Sequence, residues 1–388
     1  MRGNNLDSVR RNNLSMVLDL VNRARSLSRS EITRATGLNR STVSALVGEL
    51  VELGLIIESD PDAPTSVGRP SPIVRPNPDV VAVAVNPEVD AITIAVVGLG
   101  GAVLERAREE TPGVVDPAQA ATIIARLVGA MALEGKRIAG VGIAVPGLVR
   151  ASDSVIRWAP HLGWRDEDLA ARIRESTGLS ARAANDASLG ALAEHIFGVG
   201  VGVNDLIYLN GGASGIGGGV IANGAPLGGV GGYAGEFGQN RPGIRDASDR
   251  TTTDGTLEDE VSRARLLAAV DLTSADEPTL AAALASSEPA TAELARQLRV
   301  LSVALSNAVN VLNPQLIVLG GFLAAIHSSD PDTLARLVAE QSLEASFESV
   351  RIAPAALGAD LLMIGAAQLP FDALIADPAG FEWPKAEH

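Results

Sequence analysis

Apolar residues near the start of the chain recur at the three- and four-residue spacing of amphipathic helices. They predict a helix over residues 14–24, a short helix over 31–36 and a third helix that stops at Gly54. Gly37 fits the left-handed turn that ends many helices. A helix, a tight glycine turn and a second helix form the helix-turn-helix pattern of DNA-binding proteins. The same pattern also fits a three-helix bundle that contacts only protein.

The side chains at the helix ends favour the DNA-binding interpretation. Ser28 or Ser30 can cap the second helix, and Asn39 can cap the third. The third helix opens with hydrogen-bonding side chains at the end that would enter a major groove. Residues 62–72 fit a wing or a linker, in which Arg69 suits a minor groove or a phosphate. The predicted DNA-binding residues are Ser30, Asn39, Arg40, Ser41, Thr42, Ser44 and Arg69.

Beyond this head, the apolar residues occur in the short runs and alternations that are typical of β-strands. A strand is predicted over 55–58 and a proline-rich linker over 70–78. The further predicted strands are 80–85, 91–97, 103–108, 138–145, 180–184, 206–209, 217–222 and 316–319, and the further predicted helices are 117–133, 187–197 and 298–312. Strands and helices thus follow each other in two rounds, which predicts an α/β fold with two lobes around a cleft.

Charge separates a basic head from an acidic body. Residues 1–48 contain eight arginines and three acidic residues, whereas the whole chain has a net charge of −15. An acidic body repels nucleic acid, so contact with DNA is expected only at the head. The alternative is an ordinary solvated helix face that carries several arginines.

Composition excludes several classes of protein. A chain without cysteine forms neither disulfides nor a cysteine-ligated zinc site, and it fits a reducing compartment. Residues 1–11 lack the apolar region of a secretory signal. The longest apolar stretch, 80–101, contains Asn86, Glu88 and Asp90 and is not expected to span a membrane. These features predict a cytoplasmic protein.

Polar and glycine-rich stretches of the body are candidates for ligand contact. Asn185 and Asp186 open a helix, where the carboxylate could accept a proton from a substrate hydroxyl or simply cap the helix. The glycines of 210–224 fit either a ligand contact or a tight hairpin, but not a dinucleotide or Walker loop, because no helix follows. Glu236 and Gln239 suit sugar hydroxyls or belong to a flexible surface loop. The histidines show no metal-ligand spacing.

Several motifs occur in the order of a known family. They are VGIAVPGLV (141–149), APHLGW (159–164), NDASLGALAEHIFG (185–198), SGIGGG (214–219), GEFGQ (235–239) and LNPQLIVLGG (312–321). With these motifs the body, over about residues 80–369, resembles the ROK family of repressors, open reading frames and kinases, in the actin-like ATPase superfamily. The head resembles that of the repressor branch, of the xylose and N-acetylglucosamine repressor type.

The resemblance implies a domain organisation. A winged helix-turn-helix domain with its linker would cover residues 1–75, and a sugar-kinase-like body would cover 76–388. The body would consist of two actin- or hexokinase-like (RNase H-like) α/β lobes around a cleft, lobe one over about 76–184 and lobe two over about 185–370. The C-terminal segment would return to lobe one.

The resemblance also implies a sugar site. Its residues would be Asn185, Asp186, Glu236, Gln239 and Glu258, with Asp186 at the position of the catalytic base of the kinases. Gln for histidine at position 239 keeps a donor and an acceptor but loses the ring geometry. A carboxylate can be retained for binding alone because it accepts two hydroxyl hydrogen bonds.

The chain departs from the family at two places. The kinases hold ATP phosphates with an Asp-x-Gly-Gly-Thr loop, where this chain has NPEVD at 86–90 with a proline that lacks an N–H. Many members hold zinc with a histidine and a run of cysteines, where this chain has Gln239 and TTTDGTLE at 251–258. ATP and zinc are therefore both expected to be absent, and the loop is expected to be held by packing or by ligand.

Together these features predict a sugar-responsive repressor of carbohydrate-metabolism genes without enzymatic activity. Its expected partners are double-stranded operator DNA with an inverted repeat, a small sugar, and copies of itself in a homodimer or tetramer, but no membrane. One alternative is an active sugar kinase with a regulatory head. The other is a DNA-binding regulator that no longer binds free sugar and responds to a protein partner or a phosphorylated metabolite.

Overall fold

The computed structural model describes residues 3–59, 72–212, 215–244, 246–253 and 255–384. The head consists of α1 (Gly3–Ala24), β1 (Leu27–Ser28), α2 (Arg29–Thr36), α3 (Arg40–Glu52), β2 (Ile56–Ser59) and β3 (Ile73–Pro76). Strand β3 lies between β1 and β2 and is antiparallel to both. Residues 60–71, which join β2 to β3 and include the predicted DNA contact Arg69, lie outside the described residues.

Local capping chemistry fixes the turn between α2 and α3. Ser28 caps α2, because its Oγ accepts a hydrogen bond from the N–H of Glu31 (3.2 Å) while the Glu31 carboxylate accepts one from the N–H of Ser28 (2.7 Å). Gly37 ends α2 with a φ of 67°. The Asn39 side chain caps α3 by accepting a backbone hydrogen bond at 2.9 Å. Ser28 rather than Ser30 is the cap of α2, and the predicted turn at Gly37 and the predicted cap at Asn39 are confirmed.

Two predicted bounds in the head are wrong. Helix α1 begins at Gly3 rather than at residue 14, because its first turns are polar and give no apolar periodicity. The linker predicted over 70–78 is also wrong, because Ile73–Pro76 form β3. Val74 of this strand is fully buried, so tertiary burial overrides the local preference of prolines for turns.

Lobe one is built on a mixed sheet. Its elements are β4 (Val80–Pro87), β5 (Ala91–Gly98), β6 (Val103–Glu110), α4 (Pro117–Ala130), β7 (Arg137–Val145), β8 (Leu148–Val149), β9 (Ile156–Trp158), α5 (Leu169–Thr177) and β10 (Ala181–Asn185). Strands β4, β5 and β6 form an antiparallel meander, and β7 and β10 extend it in parallel in the order β10-β7-β4-β5-β6. Strand β5 is buried along its whole length, whereas β6 alternates because it forms the edge.

Lobe two also contains a five-stranded sheet, but it has more helices than lobe one. Its elements are α6 (Asp186–Phe197), β11 (Leu206–Gly212), β12 (Gly215–Ala222), β13 (Ala225–Pro226), α7 (Leu257–Glu260), α8 (Arg263–Ala269), α9 (Glu277–Ser286), α10 (Glu288–Leu312), β14 (Leu316–Gly321), α11 (Phe322–Ser329), α12 (Pro331–Gln341), α13 (Glu344–Phe347), β15 (Arg351–Pro354) and α14 (Leu361–Ala376). The sheet order is β13-β12-β11-β14-β15, with β14 and β15 parallel to β11. Helix α10 begins at Glu288 rather than at residue 298 as predicted.

Helix α14 returns the chain to lobe one. It packs against β4, β7 and α6. Gly142 of β7 permits this approach, because a Cβ there would overlap the backbone of Ala366. The segment Gly358–Ala376 is long and apolar enough to cross a membrane, but most of α14 is buried inside the protein and it serves as a core helix.

The head and the body share one apolar core. Val17 of α1 and Leu46 of α3 belong to the same buried cluster as Leu99 after β5 and Phe371 of α14. The head is therefore packed on lobe one through α1 and α14 rather than tethered to it by a linker.

Candidate functional site

A cleft of about 380 Å³ opens between the lobes, where β10 ends and α6 begins. The residues predicted for the sugar site all line it: Asn185, Asp186, Glu236, Gln239 and Glu258. They come from separate parts of the chain, and the fold brings them together. A larger cavity of about 880 Å³ lies in lobe two among α9, α10, α11 and α12 and contains none of them.

Asn185 and Asp186 combine a helix cap with an open ligand group. Asn185 Oδ1 accepts a hydrogen bond from the N–H of Ser188 (2.9 Å) and caps α6, while Nδ2 donates to the carbonyl of Gly147 (3.1 Å). Asp186 Oδ1 accepts hydrogen bonds from the N–H of Ala187 (2.8 Å) and from Asn185 Nδ2 (3.2 Å). Both contacts use Oδ1, so Oδ2 is available to a ligand.

Burial and a neighbouring charge raise the pKa of two acidic groups in the cleft. Burial raises the pKa of Asp186 to about 6, the charge on Glu236 adds to the rise, and the N–H of Ala187 opposes it. Burial and the charge on Glu258 raise the pKa of Glu236. Neighbouring carboxylates favour a ligand that donates several hydrogen bonds without bringing negative charge of its own, as a polyhydroxyl compound does.

The wall from lobe two holds Glu258 in a fixed place. Gln239 Nε2 donates to Glu258 Oε1 (2.6 Å), and the N–H of Ile216 donates to Glu258 Oε2 (3.1 Å). Gly215, with a φ of 126°, lies so close that a Cβ would come within 2.4 Å of this carboxylate. The described glycines of β11 and β12 belong to an antiparallel hairpin, as one interpretation predicted. Gly212, Gly215 and Gly217 also line the cleft, and ligand contact there stays a prediction.

The residues at the position of the family's zinc site do not fit a metal. The chain has no cysteine. Among the described residues, no group of three or more His, Cys, Asp or Glu side chains is arranged to hold a metal ion. Gln239, which stands in place of the histidine, directs its amide at Glu258 instead.

Trp158 and His161 line the wall from lobe one and were missed from sequence. Trp158 is 40% exposed. It is one of few aromatic residues in the chain, of which they make up 3%. The Arg165 guanidinium carbon lies 4.3 Å from the centre of the Trp158 ring. The available signal was their position within or next to the APHLGW motif. An exposed aromatic ring offers apolar surface to the C–H face of a sugar.

The start of α3 and the neighbouring start of α2 form the candidate DNA interface. Arg40 and Ser41 are exposed, and no ion pair of Arg40 occurs in the part of the chain that the structure describes. Ser41 Oγ donates to Asn39 Oδ1 (2.7 Å), which leaves the Asn39 amide group as a donor. Ser30 is exposed, with its Oγ 2.8 Å from that of Ser28. These groups present donors and acceptors of the kind that read base edges.

Ser44 is placed differently from the other predicted DNA contacts. It is half-buried, and its Oγ accepts a hydrogen bond from Arg29 Nη1 (2.8 Å). Arg29 also forms an ion pair with Glu58 of β2 (2.5 Å). Ser44 thus helps to join α3 to the sheet of the head, while the partly buried Thr42 lies two residues closer to the start of α3.

Helix α6 connects the cleft to the head. Its first residue, Asp186, lines the cleft, and its last turn contacts α1. His195 Nε2 lies 3.5 Å from Arg23 Nη1, and the Arg25 guanidinium carbon lies 5.1 Å from the centre of the Phe197 ring. The helix has 12 residues and is about 18 Å long. One rigid element therefore contacts both the ligand cleft and the DNA-binding head.

Comparison with known proteins agrees with this architecture. The sequence profile of the ROK family matches residues 82–372, and that of the MarR family matches 15–63. A xylose repressor of Caldicellulosiruptor bescii is 24% identical over 388 residues, which cover 94% of this chain and 97% of the relative. A glucokinase of Halalkalibacterium halodurans is 32% identical over 208 residues, which cover 47% of this chain and 61% of that enzyme.

A solved structure shares the fold. The crystal structure of a ROK family transcriptional regulator, a homologue of the E. coli Mlc protein, aligns with a TM-score of 0.76 and 24% identity over 95% of this chain and 97% of that one. Because the ROK profile covers most of the chain, the protein belongs to the ROK family.

Proposed function

We propose that this protein is a cytoplasmic, sugar-responsive DNA-binding repressor of carbohydrate-metabolism genes. The MarR match of the head, the full-length similarity to a xylose repressor and the acidic cleft support the proposal. The observation that carries it is α6, which joins the cleft to the DNA-binding head. Such a connection is what a ligand-controlled repressor requires.

A sugar would act by drawing the start of α6 and the segment after β13, both in lobe two, together across the cleft. Asp186 belongs to α6, whereas Glu236, Gln239 and Glu258 belong to the segment after β13. Hydroxyl groups that bond to both sets shift the start of α6, and the rigid helix carries the shift to Arg23 of α1. A tenfold loss of DNA affinity corresponds to a coupling free energy of about 1.4 kcal/mol, which one or two hydrogen bonds can supply.

Fluorescence anisotropy tests the proposal. The full chain is titrated onto labelled DNA from its own upstream region, at fixed salt because phosphate contacts make affinity salt-dependent. Xylose, glucose, galactose, N-acetylglucosamine and a disaccharide are then added in turn. We expect specific binding that one sugar reverses. Specific binding that no sugar changes would favour a regulator that responds to another signal, and absence of specific binding would contradict the DNA-binding role.

We propose further that the protein binds its operator as a homodimer or tetramer. Two recognition helices related by a twofold axis would contact two half-sites about one helical turn, ~34 Å, apart. DNase footprinting would then show symmetric protection of an inverted repeat. Protection of a single half-site by a monomer would contradict this arrangement.

A sugar kinase is the second candidate, because a glucokinase matches about half of the chain and Asp186 has the raised pKa of a general base. The turn between β4 and β5 argues against phosphoryl transfer. Its N–H at Glu88 bonds the carbonyl of Ala91 (2.8 Å), and the Glu88 carboxylate pairs with Arg108 (2.5 Å). An acidic turn with these contacts offers no cradle for phosphates. Sugar-dependent ATP turnover above that of an Asp186→Asn control would favour the kinase.

A further inference from the structure

Glu258 lines the cleft that would bind sugar, and the inference on how it is held rests on the proposed function. Glu258 lies on α7, a helix of four residues. Between β13 and α7, the described residues form only two short 3₁₀ turns, Phe237–Gln239 and Ala247–Asp249. Regular secondary structure therefore does not fix the position of this carboxylate.

Glu260 closes this segment on itself. Its side chain is 1% exposed, and its two carboxylate oxygens accept hydrogen bonds from both polar groups of two consecutive residues. Oε2 accepts from the N–H (2.8 Å) and the hydroxyl (2.6 Å) of Thr251, and Oε1 accepts from the N–H (3.0 Å) and the hydroxyl (3.0 Å) of Thr252. Burial alone would raise the pKa of Glu260, but these hydrogen bonds hold it below its ordinary value.

A buried arginine then fixes the closed loop to the long helix α10. Arg296 is 8% exposed. Its Nη2 donates to the carbonyl of Glu260 (2.7 Å) and its Nη1 to the carbonyl of Asp249 (2.9 Å), at the two ends of the loop. Glu293 pairs with Arg296 at 2.7 Å, and Arg299 pairs with Asp249 at 2.6 Å. The buried centre of this network, Arg296 and Glu260, favours one conformation of the segment.

We infer that Glu260 is a positioning residue for the cleft: it holds Thr251 and Thr252, the described ends of its segment are fixed to α10, and Glu258 is placed as a result. It acts where the family resemblance implies a zinc, which the residues present do not fit. The four donors of the two threonines, together with Arg296 Nη1 at 3.4 Å, converge on this carboxylate and crosslink the segment as a metal with several ligands would. These contacts hold Thr251, Thr252 and Glu260 together through protein groups alone.

The first test compares Glu260→Gln with a matched control. The glutamine side chain has one acceptor oxygen and one NH₂ group, so it cannot accept the four hydrogen bonds from Thr251 and Thr252. Its NH₂ group instead faces a donor group of these threonines. We expect sugar affinity to fall at least tenfold, with sugar-free DNA affinity unchanged because the head is not involved. Glu340→Gln makes the same chemical change in an exposed ion pair of α12 and is expected to alter neither. Unchanged sugar affinity in Glu260→Gln would overturn the inference.

A double-mutant cycle separates positioning from general damage to the fold. Glu258→Gln removes the carboxylate through which Glu260 acts. In that background, Glu260→Gln is expected to reduce sugar affinity by less than twofold further. If the fold losses of sugar affinity in the two single variants multiplied in the double variant, Glu260 would act independently of Glu258. That result would overturn the positioning role.

Hydrogen exchange tests the loop without any sugar. The amides of Thr251 and Thr252 are expected to exchange at least tenfold faster in Glu260→Gln, and the milder Thr252→Val should show a smaller effect if the first variant folds poorly. Treatment of the wild type with EDTA is expected to change neither exchange nor sugar affinity. Loop protection that survives Glu260→Gln, or is lost on chelation, would overturn the inference. A wild type that binds no sugar but shows the expected exchange would instead contradict the proposed function.

Discussion

Asp186 titrates within the physiological pH range, because burial and Glu236 raise its pKa to about 6. The ionised carboxylate accepts hydroxyl hydrogen bonds, so sugar affinity should fall as the pH drops through 6. Between pH 7 and pH 5 the ionised fraction falls to about one tenth, and we expect a tenfold weaker sugar affinity. Calorimetric titration at constant ionic strength measures it. An affinity that is constant from pH 8 to pH 5 would exclude ionised Asp186 as the ligand group.

The same residue should destabilise the ligand-free protein. A carboxyl group whose folded pKa is raised from 3.8 to about 6 has no effect on stability at low pH and an increasing cost as the pH rises between these values. Asp186→Asn is therefore expected to raise the free energy of unfolding by about 1–3 kcal/mol at pH 7 and by much less at pH 4. Urea unfolding at both pH values checks this. The variant should also lose the sugar response while keeping its DNA affinity.

Arg40 is the cation best placed to read DNA among the described residues predicted for that role. It is exposed at the start of α3 and forms no ion pair within the described part of the chain. Arg40→Ala is expected to weaken operator binding by about 1–3 kcal/mol if the side chain contacts a base. The loss should be larger on the operator than on unrelated DNA. Arg126→Ala, an exposed arginine of the body, is the control, and an equal loss on both DNAs would assign Arg40 to a phosphate.

At the scale of the element, α6 should transmit the sugar signal through Arg23. Arg23→Ala removes the contact with His195 at the end of α6 and leaves the cleft untouched. We expect unchanged affinities for sugar alone and DNA alone, but a sugar-induced release that falls from about tenfold to less than threefold. Anisotropy titrations without and with sugar give the DNA affinity and the sugar-induced release.

The control for α6 is another contact between head and body. Arg11 of α1 pairs with Asp377 after α14 at 3.5 Å and does not touch α6. Arg11→Ala should keep the full sugar response. Equal loss of response in both variants would mean that the whole interface, rather than α6, carries the coupling.

The elements that sequence predicted are those whose signals are local. Gly37 and Asn39 mark the turn of the head because left-handed backbone and capping depend on neighbouring residues alone. Strand β3 was missed because Val74 forms a strand only once the helices of the head bury it. Trp158 was missed because its contribution to the cleft depends on the approach of lobe two.

The residues of the candidate site also divide into those with a signal in the sequence and those whose role depends on tertiary contacts. Asn185, Asp186, Glu236 and Gln239 were predicted from recognisable family motifs, whereas Glu258 was predicted only from its place in a stretch that departs from the family. The buried carboxylate of Glu260 was not predicted, because TTTDGTLEDE shows no sign that one acid folds back on two threonines. The position of Ser44 was equally hidden, since Arg29 reaches it from α2 and is itself paired with Glu58 of β2.

At the scale of the whole molecule, charge distinguishes the head from the body, whereas packing joins them. The arginine-rich head attracts phosphates, and the acidic body, in a chain of net charge −15, repels them. Yet both parts share one buried cluster, in which Val17 and Leu46 of the head meet Leu99 and Phe371 of the body. Movement of the body relative to the head therefore has to repack this cluster, which favours discrete arrangements over continuous bending.

A shared core also predicts that head and body unfold together. Native-state hydrogen exchange in urea should give the same free energy of opening for buried amides of α3, such as Val47, and of β7, such as Val141. Leu99→Ala should lower both values by the same amount, about 2–4 kcal/mol, because the cavity lies between the parts. Leu284→Ala, which removes a side chain from the separate core of lobe two, is the control for Leu99→Ala. If α3 opened at a lower free energy than β7 and ignored Leu99→Ala, the head would be an independent unit and the sugar signal would have to pass through α6 alone.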